Sequence, residues 1–167
     1  NEIEVINSMS VARGAVLNSG VYISYAIPGF NDRPIYKKAS PVLVNVDNAL
    51  LSGIVAPLKL YFTFSEDGAV TVRYSYINEA LGVNVETTDA AVKSFPYVLK
   101  TVAGDVNVNK NEMDKPYVGE LNVTVNMLEA TARSYMSRLS IAPVSKMSSV
   151  AVMSINTPVP AEGVDYL

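Results

Sequence analysis

The chain holds no Cys, His or Trp, so any chemistry must come from carboxylates, lysines, hydroxyls and tyrosines. That set excludes imidazole acid–base catalysis, thiolate nucleophiles and the nitrogen and sulfur ligands of zinc. Asp105-Val-Asn107-Val-Asn109 starts like a calcium loop. Its sixth position is Lys110, where the sharp turn needs Gly, and its twelfth is Pro116, where a bidentate Glu belongs. The alternating valines fit a strand with a polar outer face better. Glu2/Glu4 and Glu112/Asp114 are the closest carboxylate pairs, but they fall in an expected exposed strand and a polar turn. Ser145-Lys146 lacks the G-x-S-x-G or S-x-x-K context of a hydrolase, and glycine-rich phosphate motifs are absent. The expectation is a protein without catalytic residues, metal or cofactor.

Binding chemistry has two candidate locations. Arg33, Tyr36, Lys37 and Lys38 form a small basic cluster beside Pro34 that could grip an anion or a partner. Tyr74 and Tyr76 could stack on sugars, although same-face strand spacing favours packing in a core. Asn122-Val-Thr124 matches a glycosylation sequon but lies within a strand-like run, and is read as chance.

The elements that must position these residues are mostly strands. With 167 residues and 49% hydrophobic content the chain can bury one good core without staples. A net charge of −3 disfavours nucleic acid or an anionic membrane as partner, and no run is long enough to insert into a bilayer. Leu60, Phe62 and Phe64 alternate before Asp67-Gly68, and Val70, Val72, Tyr74 and Tyr76 alternate after it, which predicts a hairpin. Similar alternation runs through 21–27, 42–46, 83–86, 106–109, 121–127, 139–141 and 150–152. Leu128, Ala132, Tyr135 and Leu139 recur at helical spacing and predict one short helix. Residues 157–167 read as an extended tail.

Ile3, Val5, Met9 and Val11 alternate along 2–12, ahead of a hinge at Arg13-Gly14. This run is readable as the first strand of the domain, or as a detachable strand that adds to a neighbour's sheet. Lys115-Pro-Tyr-Val-Gly-Glu-Leu-Asn-Val-Thr-Val-Asn126 resembles the Y-x-G-x-L-x-V-x-V final-strand region of chaperone–usher pilus subunits, in a disulfide-free variety. The resemblance implies an incomplete immunoglobulin-like sandwich completed by a neighbour's N-terminal strand. It makes Ile3, Val5, Met9 and Val11 the donor residues, and Leu121, Val123, Val125 and Met127 a strand of the acceptor groove. In such pilins that strand closes the chain, whereas residues 129–167 follow it here.

The sequence therefore predicts an all-β antiparallel sandwich with a donor-like strand at 1–13, a β-sandwich domain at 14–156 and a tail at 157–167. The function expected is that of a fimbrial subunit at the cell surface, reached through the periplasm. Its partners would be copies of itself or related pilus subunits, a periplasmic chaperone and usher, and a host glycan or protein receptor. The start at Asn1 fits a processed terminus or simply a trimmed chain. A virion or phage-tail component, and a carbohydrate-binding module, are the alternatives.

Overall fold

A computed structural model describes residues 2–147 and 149–167. In chain order the elements are α1 (Glu2–Ile6), α2 (Met9–Ser19), β1 (Ile23–Ile27), β2 (Arg33–Ile35), β3 (Val42–Val46), α3 (Asn48–Gly53), β4 (Leu58–Phe64), β5 (Val70–Asn78), β6 (Val83–Glu86), β7 (Ala90–Ala91), β8 (Tyr97–Thr101), β9 (Gly104–Lys110) and β10 (Gly119–Val125). There follow α4 (Leu128–Arg138), β11 (Leu139–Pro143), β12 (Ala151–Ile155) and α5 (Pro160–Tyr166). The protein is mostly β, with antiparallel sheets. The chain divides into two compact units: residues 23–127, and a second unit made from 1–22 together with 128–167.

The 23–127 unit contains a seven-stranded sheet in the order β2-β1-β10-β4-β5-β6, with β7 also on β5, and a three-stranded sheet β3-β9-β8. The β4–β5 hairpin forms as its alternation demands. Leu60 lies opposite Tyr74 and Phe62 opposite Val72, so both apolar rows share the buried face. Gly68 takes φ 86° in the turn, and Asp67 Oδ1 accepts from the Ala69 N–H at 3.0 Å. Three tyrosine hydroxyls fasten this core by accepting main-chain N–H groups. Tyr25 takes that of Val44 at 3.0 Å, Tyr76 that of Val55 at 3.0 Å, and Tyr74 that of Val102 at 3.1 Å.

The unit of 1–22 and 128–167 departs furthest from expectation. Residues 2–6 and 9–19 are helices where a donor strand was expected, while residue 1 of that segment lies outside the described residues. The physical reason is local. Ser8 caps α2 by accepting from the Val11 N–H at 3.3 Å. Gly20, at φ 72°, closes the helix with its N–H on the Val16 carbonyl. Ala12 and Val16, four apart, are buried together with Val21, Ala132, Tyr135 and Tyr166.

The expected tail at 157–167 is also corrected, because residues 160–166 form α5, entered by Pro160. α4 forms where the helical spacing placed it. One short helix was expected, and five α-helices are present among the described residues. The division into two compact units falls at residues 22/23 and 127/128, inside the 14–156 span expected as one sandwich domain.

Candidate functional site

Two exposed apolar features stand out among the described residues, one in each unit. The first is the β11–β12 hairpin, which pairs Leu139 with Ile155, Ile141 with Met153 and Pro143 with Ala151. Those six residues make one hairpin face apolar from base to tip. The opposite face carries one serine pair at its base, Ser140 with Ser154, and then Ala142, Val144, Val150 and Val152 toward the tip. Within 139–155 the one charged residue is Lys146.

Toward the tip this apolar surface is uncovered. Met147 is 98% exposed, Val144 62%, Val150 60%, Val152 56% and Met153 42%. Both outer edges of the two-stranded sheet lack a strand partner among the described residues.

The base of the hairpin is firmly held. Arg138 Nη1 and the Asn156 carbonyl meet at 3.4 Å, and the Asn156 N–H reaches the Arg138 carbonyl at 3.4 Å. The Arg138 guanidinium lies 4.5 Å from the centre of the Tyr135 ring, which in turn packs at 4.7 Å on Tyr166. The Tyr135 hydroxyl donates to Glu162 at 3.4 Å. Its pKa is pushed up to about 12, first by burial and then by the neighbouring Glu162 carboxylate. Gly163 fits so closely against Ile155 and Thr157 that a Cβ there would lie 2.9 and 2.8 Å from their Cγ2 methyls. The result is an anchored arm: a rigid base carrying an uncovered tip.

The second feature is a groove of about 790 Å³ in the 23–127 unit. The β4–β5 turn, the 111–118 connection and the stretch before β8 meet there. Phe64, Val70, Phe95, Met113, Pro116 and Tyr117 give it an apolar lining, and Lys110, Glu112 and Lys115 contribute polar groups. Phe64 and Tyr117 pack edge to face with ring centres 5.4 Å apart. The Tyr117 hydroxyl donates to the Glu120 carbonyl at 2.7 Å. Burial raises the Tyr117 pKa, with Arg33 opposing the shift and Glu120 adding to it.

The residues singled out from the sequence are dispersed. Ile3, Val5, Met9 and Val11 do not form a row: Val5 and Val11 are exposed, while Met9 packs on the Ala12–Val16 cluster. Leu121, Val123 and Val125 are fully buried and Met127 partly so. Strand β10, which holds the first three, pairs with β4 from residue 119 to 125 and with β1 from residue 122 to 125. Its hydrogen-bonding edges are therefore used within the chain, which corrects the acceptor-groove assignment.

Arg33 sits in β2 opposite Ile27. Tyr36, Lys37 and Lys38 occupy a short turn whose carbonyls at Lys38 and Ser40 accept from the Asn111 side-chain amide at 3.2 and 2.9 Å. The loop is thus pinned by its main chain. Tyr74 and Tyr76 are buried, as the core reading expected. Asp105, Asn107 and Asn109 lie on the exposed face of β9, with Asp105 bonded to Lys100 at 2.7 Å.

Sequence reasoning missed the arm as a site, reading 150–152 as one more strand. The signal was present in the near absence of charge across 139–155. It also missed Phe30, which is fully exposed between β1 and β2. Among the described residues no helix is long and apolar enough to cross a membrane.

No protein-family model matches the chain, and comparison with curated proteins finds no match.

Proposed function

We propose that the chain is a non-enzymatic structural subunit of a fimbria-like surface assembly, joined to copies of itself or to related subunits by strand addition. The strands added are those of the β11–β12 arm, not the N-terminal segment. The arm carries this reading. An exposed apolar hairpin with two open edges invites pairing with another chain, and in the working state it must be covered. The pilin-like run at 115–126, leading into and filling β10, and the antiparallel sheets support an immunoglobulin-like sandwich as the body of the subunit. Until assembly such an arm needs a cover, which is the service a periplasmic chaperone would give.

The virion or phage-tail reading draws on a separate observation, the additional unit formed by the chain ends. It shares the same assembly chemistry. Electron microscopy of the concentrated protein tests the proposal. Fibres or regular oligomers, lost when Val144 and Val150 are both changed to Asp, are the expected result. A stable monomer that binds an immobilised glycan instead would overturn it.

A further inference from the structure

The chain carries an uncovered apolar arm and an open apolar groove. We infer that the arm tip of one copy seats in the Phe64–Met113–Tyr117 groove of the next, a head-to-tail contact. This inference rests on the assembly reading and adds to the strand pairing along the arm's edges a side-chain contact at its tip.

The area to be buried favours a second copy as the occupant. The exposed arm side chains, with Val144, Val150 and Val152 on one face, Met153 on the other and Met147 at the tip, together present roughly 500 Å² of apolar surface, which a partner covers only by enclosing the tip. Covered by a matching area on a partner, that gives roughly 1,000 Å², the threshold for a specific interface. The groove is of a size that takes several apolar side chains, and polar groups accompany its aromatic lining, as in a protein–protein interface. Any solution of this protein offers the two surfaces in equal number. Because the surfaces differ, the contact is heterologous, and repetition closes a ring or extends a fibre.

The absence of native Cys makes a disulfide test clean. Met147→Cys and Met113→Cys both fall on exposed side chains, and the doubly substituted chain is oxidised under conditions where the wild type assembles. The expected result is a ladder of linked oligomers, with about tenfold more intermolecular disulfide than in either single variant. A dimer linked 147–147, or a 147–113 link at monomer mass, would overturn the contact.

A second arm mixes Met147→Glu with Met113→Glu. Each variant alone should lose assembly by at least about tenfold in Kd. Together they should form a 1:1 pair, because one retains the groove and the other the arm. Assembly that persists in M113E sinks this contact while leaving the proposed function standing. A wild type that never assembles sinks both.

Discussion

The Val44 main-chain N–H donates to the Tyr25 hydroxyl at 3.0 Å, so a side chain of β1 satisfies a main-chain group of β3 in the other sheet. β3 pairs with β9 on one side only. The tyrosine therefore caps part of an otherwise open edge and fixes the separation of the two sheets.

Tyr25→Phe keeps the ring and leaves that N–H without this partner. Loss of a buried hydrogen bond of this kind costs about 1–3 kcal/mol. Urea unfolding should show a lower midpoint at unchanged slope. A midpoint within error of wild type would mean that the bond contributes nothing.

At Gly163 two effects of known size compete. Replacing Gly by Ala inside a helix ordinarily stabilises by about 1 kcal/mol. Here the new methyl would press on the Ile155 and Thr157 methyls at 2.9 and 2.8 Å, and overpacking of a tight site costs about 1–3 kcal/mol. Gly163→Ala is expected to lower the thermal midpoint. A raised midpoint would show that α5 gives way easily.

Tyr135 supplies a pH dependence. Its folded pKa of about 12 lies above the ordinary value of 10, so the unfolded chain releases this proton first as pH rises. Stability from this group is fully present below pH 10 and is lost between about pH 10 and 12. The loss amounts to about 2 kcal/mol at most. Burial also raises Tyr22 and Tyr166 in the same unit, which adds to the slope with the same sign. Denaturant titrations at pH 9 and 11 should show a smaller pH loss in Tyr135→Phe than in wild type. Equal losses would remove Tyr135 from the account.

The strands were largely readable from the sequence, the N-terminal helices were not. Period-two rows at 60–64, 70–76 and 121–125 reported buried faces, and the structure buries them, Val70 only partly. Ile3, Val5, Met9 and Val11 imitate that period across Asn7-Ser8, yet Ser8 is an N-cap and Gly20 a left-handed stop. Those two signals bracket α2 and outweigh the alternation. The function of β10 was misread because its pattern reports burial but says nothing of what occupies its edges. The arm was hidden for a related reason: alternation marks a strand without saying whether anything covers it.

The caps make the N-terminal correction testable. Ser8→Ala should weaken α2 by about 0.5–2 kcal/mol, read as a loss of helical circular dichroism and a lower thermal midpoint. An unchanged helical signal would argue that the cap does not hold this segment.

Assembly through the arm is the central claim, and sedimentation velocity across a wide concentration range reads it most directly. The wild type should shift to larger species with rising concentration, while the variant with both Val144 and Val150 changed to Asp sediments as a folded monomer throughout. A wild type that stays monomeric at every concentration, or a variant that assembles as the wild type does, would contradict the account.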